Sequence, residues 1–287
     1  MSVERRNLLA RGRELTLSLP PFSGWVKRLV LICAGVYLLQ VAGRAMFPQV
    51  EAYGEIYLGL VPTLTVHGYI WQVVTYSFLH ASVGHLLVNM FMLWMFGSQE
   101  EMDWGSRRFL EFYLFCVVGA ALVTIFVAYT SLPGLTPRTL TIGASGGIYG
   151  LLIAFGILYG EQTVFLFPIP ISLKAKYLVA ILIFLVIIAT FQPSQGGVAN
   201  FAHLGGLFFG FLYVKLVPKR GLTFVFSEQF FGIRNNYYRW KRRRAARKFE
   251  VYMRKHDRDV KFDELGNYLP PEDNEKKNGG SKSGWVN

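Results

Sequence analysis

TLTIGASGGIYGLLIAFGILYG, residues 139–160, sets Ser145 among glycines and then runs without a charge into apolar sequence. Two readings compete for it. GASGG matches the G-x-S-x-G elbow of soluble hydrolases, in which a strand delivers the serine to a sharp turn. The other reading is a membrane helix whose small residues let a neighbouring helix approach closely. The flanks decide between them. PGLTPRTLTI, residues 133–142, is loop-like rather than a strand, and no acidic residue lies between Gln162 and His203 to complete a Ser…Asp/Glu…His order.

The rest of the chain agrees with a membrane helix. The protein has 287 residues, 52% hydrophobic and 16% aromatic, which is too apolar for an ordinary soluble domain. Apolar runs of about 17–25 residues mark helices that cross a bilayer. Six are present, at roughly 28–46, 75–97, 108–129, 145–160, 175–192 and 201–217. The first begins only after GWVKR. It is long enough to span and no small-residue cleavage site follows it, so it is expected to be a span and not a signal peptide. Cys33 and Cys116 both fall inside apolar runs without metal-ligand spacing, and packing is their expected role.

Charge gives the orientation. The net charge is +12. Arg5, Arg6, Arg11, Arg13, Lys27 and Arg28 precede the first run. Arg107, Arg108, Lys174 and Lys176 occupy two alternate loops, and most other cations follow Lys215. The remaining loops hold only Arg44 and Arg138. Lys and Arg concentrate on the cytoplasmic side, so both termini are expected there, as an even number of spans requires. The expected organisation is an N-terminal cytoplasmic segment (1–26), a six-span core (27–217) and a basic, partly disordered cytoplasmic tail (218–287). Anionic lipid headgroups are the expected partner of the tail's cations, and nucleic acid is not.

On this frame spans two, four and six all run inward from the external side. Span two carries His80, His85 and Asn89, the last two sharing a face four residues apart. Span four opens with Ser145, and His203 is expected in the first turn of span six. Three of the chain's five histidines thus gather with a serine and an asparagine at one depth. Polar groups are costly there and often mark function. Gly146 with Gly150, Gly143 with Gly147 and Gly206 with Gly210 form G-xxx-G pairs. Close approach of spans four and six would bring a serine hydroxyl within about 3 Å of an imidazole, the reach general-base activation needs. H-E-x-x-H is absent, and His80 and His85 are five apart, so no metal site is expected.

Four segments in this order resemble the rhomboid family of intramembrane serine proteases: HASVGHLLVN (80–89), GSQEEMDWGS (97–106), GASGGIYG (143–150) and AHLGGLFFG (202–210). The resemblance covers about residues 27–217. It implies an all-α, six-transmembrane-helix bundle and a Ser-His dyad, with Ser145 the nucleophile and His203 the general base. It also implies an oxyanion hole from His85, Asn89 and the amides of Ser145 and Ala144. Tyr149 would stack on the catalytic histidine, with Gly143, Gly146 and His80 as further supports. Glu101 would tie a loop at the inner end of span two. Trp71-Gln72 stands where many bacterial members have Trp-Arg, which departs from the family pattern.

The expected activity is endopeptidase cleavage of other proteins' transmembrane segments near the external membrane face, without a cofactor. The expected location is a bacterial cytoplasmic membrane. FQPSQGGVANF, residues 191–201, is the expected mobile cap over the site. The alternative is a non-catalytic, client-binding rhomboid-like protein, which the presence of both Ser145 and His203 disfavours.

Overall fold

A carboxylate from the middle of the chain starts the first helix. In the computed structural model, which describes residues 20–130, 136–166, 171–191, 197–217 and 221–269, helix α1 (Gly24–Met46) opens after Ser23. The Ser23 side chain makes no capping bond. Instead the Trp25 and Val26 amides donate to the Glu101 carboxylate at 2.7 and 2.9 Å. A negative group there satisfies orphan donors and complements the helix dipole. Gly24, at φ +62°, leaves room for it, since a Cβ would overlap the carboxylate.

Val26, Leu29, Cys33, Tyr37 and Gln40 form the buried stripe of α1. Leu38 and Leu39 on other faces are 68% and 74% exposed. A helix apolar on its exposed sides suits lipid and not water. α1 and α6 (Ser106–Ala128) are each long and apolar enough to cross a membrane.

Between α1 and α6 lie short helices α2 (Pro48–Leu58), α3 (Pro62–Val66) and α4 (Gln72–Thr75), a 3₁₀ turn (Tyr76–Phe78), and α5 (Val83–Trp104). The expected continuous second span from residue 75 is therefore broken. Leu79 and Ser82 are extended, and the two helical pieces meet at 101°. Ser82 causes the restart, accepting the His85 amide at 3.2 Å as the N-cap of α5. At the other end of α5, Glu101 also accepts the Ser106 hydroxyl of α6 at 2.5 Å, so one side chain ties α1, α5 and α6 together.

Helix α7 (Ser145–Leu158) is shorter than its expected span, at 14 residues or about 21 Å. β1 (Thr163–Leu166) and β2 (Ile171–Lys174) follow as an antiparallel ribbon pairing Thr163 with Lys174 and Leu166 with Ile171. Then come α8 (Ala175–Phe191) and α9 (Gly197–Leu216). α9 begins before residue 201, so His203 lies nearly two turns inside the helix and not in its first turn. Residues 192–196 of the expected cap lie outside the described residues, and 197–201 are helical.

Glycine faces hold α6, α7 and α9 together. A Cβ at Gly206 would overlap the Gly146 carbonyl, and one at Gly210 would sit 2.8 Å from Gly150 Cα. Gly205 faces Ala120 Cα of α6 at 2.9 Å in the same sense. Small residues let backbones meet where larger ones would hold them apart. Gly143 does not pair with Gly147 in this way. It lies outside α7 at φ +129°, and its space is taken by His85.

Residues 222–269 belong to a second compact unit. Helix α10 (Leu222–Arg254) carries the cations of the tail, and β3 (Lys261–Phe262) pairs with β4 (Tyr268–Leu269). Asp263 closes that turn by accepting the Leu265 and Asn267 amides, each at 2.8 Å. The all-α expectation is thus amended by two short ribbons. The polar stretch 270–287 lies outside the described residues.

Candidate active site

The loop before α7 is fixed from two sides. Leu60 and Thr141 exchange both backbone hydrogen bonds, and the Thr63 amide donates to the Pro137 carbonyl at 2.8 Å. The Gly143 amide donates to the Tyr76 carbonyl at 2.9 Å, and the Tyr76 hydroxyl donates to the Val117 carbonyl of α6. Gly143 takes a positive φ that other residues rarely adopt. These contacts deliver Ser145 to the first position of α7, where the opening amides have no intrahelical partner.

Gly206 seats α9 against this point. His203 Nε2 and Ser145 Oγ are 2.7 Å apart, and Ser145 is 9% exposed. The imidazole lies over the Tyr149 ring with centroids 4.3 Å apart and planes at 25°. His203 Nδ1 is buried and has no hydrogen-bond partner among the described residues. The ring is therefore oriented by stacking and not by a carboxylate behind it. For Nε2 to accept the serine proton, Nδ1 carries the ring hydrogen.

His85 approaches from α5. A Cβ built on Gly143 would lie 2.9 Å from His85 Nε2 and 3.7 Å from Ser145 Oγ, so both groups border the same point. The Ala81 amide donates to His85 Nδ1 at 3.5 Å, a long contact that favours hydrogen on Nε2. Asn89 lies one turn further along α5, and its side-chain nitrogen is buried without a partner among the described residues. A buried donor left unpaired costs about 1–3 kcal/mol. Ala144, fully buried, caps α7.

His80 is fully buried. Its ring packs edge-on against His85 at 5.2 Å, and its polar contacts run to Gln40 and Phe78. Among the described residues no group of three His, Cys, Asp or Glu side chains is disposed to hold a metal ion.

Two glutamines matter to which the sequence assigned no role. Gln72 is fully buried. Its Oε1 accepts the Val61 amide at 3.1 Å and the Thr65 hydroxyl at 2.9 Å, and its Nε2 donates to the Ile56 carbonyl at 2.8 Å. Gln72 thus braces the loop between α1 and α5 from inside, at the position where many bacterial members of the family have arginine. Gln40 is the other. A lone amide in an otherwise apolar stripe was the available signal for it.

Comparison with known proteins identifies the family. The sequence model of the Rhomboid domain matches residues 67–220. The chain is 27% identical over 194 residues to "Rhomboid protease AarA" of Providencia stuartii, covering 64% of this chain and 69% of that protein. It is 26% identical over 197 residues to "Rhomboid-like protein 19" of Arabidopsis thaliana, covering 67% and 62%. It is 30% identical over 165 residues to "Rhomboid protease GluP" of Bacillus subtilis, covering 55% and 29%. The match therefore leaves a third or more of the length of several such relatives outside it. With the domain matched over more than half of its length, and with apolar helices fit to cross a bilayer, the chain is an integral membrane protein of the rhomboid family.

Proposed function

We propose that this protein is an intramembrane serine endopeptidase using a Ser145–His203 dyad. The observation that carries the proposal is the 2.7 Å contact between Ser145 Oγ and His203 Nε2 inside a helical bundle. His203 takes the hydroxyl proton as Ser145 attacks the scissile carbonyl, then returns it to the leaving amine. The acyl-enzyme is hydrolysed by a water that His203 deprotonates. His85 Nε2, Asn89 Nδ2 and the amides of Ser145 and Ala144 hold the oxyanion. Each such donor contributes about 3–4 kcal/mol to transition-state stabilisation.

The core is read as six spans with both termini cytoplasmic, on the evidence of the loop cations. The α7 N-terminus then lies near the external face, where the substrate is cut. A substrate helix hides its carbonyls in its own hydrogen bonds, so it must unwind locally before attack. Substrates are transmembrane segments of other proteins. The cations of α10 engage anionic headgroups of a bacterial cytoplasmic membrane.

The test is cleavage of a single-span substrate in liposomes by wild type, Ser145→Ala and His203→Ala. Loss of cleavage in both variants is expected. Two variants as active as wild type would remove the protease reading. An inert wild type on several substrates would favour the client-binding alternative.

A further inference from the structure

One amide side chain joins α1, the helix α2 and the break before α5. Gln40 is 6% exposed. Its Oε1 accepts the His80 backbone amide at 3.1 Å, and its Nε2 donates to Glu55 Oε1 of α2 at 2.9 Å. Arg44 pairs with the same Glu55 and reaches Glu51 at 3.3 Å. The residue after His80 is Ala81, whose amide donates to His85 Nδ1. The two contacts leave adjacent backbone amides. Fixing one peptide plane by Gln40 therefore constrains the next, which faces His85.

The consequence is chemical. A neutral imidazole that accepts at Nδ1 must carry its hydrogen on Nε2. Nε2 is the His85 atom that borders Gly143 and Ser145. Without the Ala81 contact, the hydrogen could equally sit on Nδ1, and the edge facing the serine would be an acceptor. An acceptor there would repel an oxyanion.

We propose that Gln40 is a positioning residue for His85. By holding the His80 amide it sets the turn whose Ala81 amide selects the His85 tautomer that donates toward Ser145. Through Glu55 it makes that setting depend on α2. The inference rests on the protease reading, since it assigns His85 a donor role in that chemistry.

The experiment uses the full chain in micelles with ¹⁵N-labelled histidine, the His85 signals being assigned by difference from His85→Gln. Wild type is expected to show hydrogen on His85 Nε2. Gln40→Ala is expected to mix the two tautomers and to lower kcat about 10- to 100-fold with KM within about two-fold. Gln40→Asn, the same amide one methylene short of its partners, should behave likewise and serves if Gln40→Ala does not fold. Gln40→Glu keeps an acceptor for His80 but sets a carboxylate against Glu55, so it should also mix the tautomers, as the dependence on α2 requires. An unchanged His85 spectrum in the Ala or Asn variant overturns the proposal. So does a rate loss confined to KM or one that only follows the thermal midpoint. A wild type without Ser145-dependent cleavage sinks the protease reading instead, while the imidazole spectra still decide the Gln40 contact.

Discussion

Gly206 of α9 lies so close to the main-chain carbonyl of Gly146 that a Cβ at position 206 would fall on the oxygen. Four residues along both helices, Gly210 meets Gly150 in the same way. The distance between Ser145 and His203 is thus set by hydrogen atoms where side chains would otherwise stand.

Gly206→Ala should therefore push α9 away from α7. Overpacking of this kind costs about 1–3 kcal/mol. A shift of about 1 Å at the dyad should also lower cleavage about 100-fold. Gly35→Ala in α1 is the control, because a Cβ there meets nothing within 4 Å. Better helix propensity should leave that variant as stable as wild type or slightly more so. Thermal unfolding and cleavage rate together check the pair. Equal behaviour of the two variants would contradict the account.

Tyr149 holds the His203 ring by stacking, and its hydroxyl has no part in that contact. Tyr149→Phe should keep cleavage within about two-fold of wild type. Tyr149→Ala should reduce it by up to about ten-fold, the equivalent of the roughly 0.5–1.5 kcal/mol that a stacked aromatic pair contributes. Steady-state kinetics on one substrate separates the two.

Gln72→Leu keeps the volume of the side chain and removes its hydrogen bonds to Val61, Thr65 and Ile56. Each buried group left unpaired costs about 1–3 kcal/mol. The variant should unfold at lower temperature and become sensitive to external protease between residues 56 and 72. A thermal midpoint equal to wild type would show that water replaces the glutamine.

Glu161 beside β1 pairs with Lys174 and Lys176 at 2.6 and 2.5 Å. The two ammonium groups lower its pKa from 4.5 to about 2. A depressed carboxylate contributes stability above its unfolded value, and the contribution fades as pH falls from 4.5 toward 2. The group is fully exposed, so salt should screen the effect. A carboxyl titration should give a midpoint near 2 at low salt that moves up in 1 M salt. Glu161→Gln should remove this pH dependence and, at low salt, the contribution at neutral pH with it.

Much of the site was legible because its chemistry is concentrated in rare residues. Ser145, His203, His85 and Asn89 stand out in apolar runs where polar groups are costly, and their depths could be matched from orientation alone. The break at residues 79–82 was hidden because Leu79 and Ala81 keep the run apolar, although Ser82 is a good N-cap. The start of α9 was hidden by glycine at 196 and 197, which lowers helix propensity and masks about one turn before the apolar pattern begins. Gly143 was misread as half of a helical pair because spacing carries no information about φ. Gln40 and Gln72 each answer to partners 7–40 residues away, and local pattern does not encode such contacts.

The Glu101 carboxylate that starts α1 has a consequence for how the protein is made. Residues 24–26 leave the ribosome long before Glu101 does. During synthesis α1 must therefore enter the bilayer with its leading amides open to water and headgroups. They close only when the far end of α5 arrives, some 75 residues later. A nascent chain cut short of residue 101 should show fast hydrogen exchange at Trp25 and Val26. The first helix of this protein is finished by its second long one.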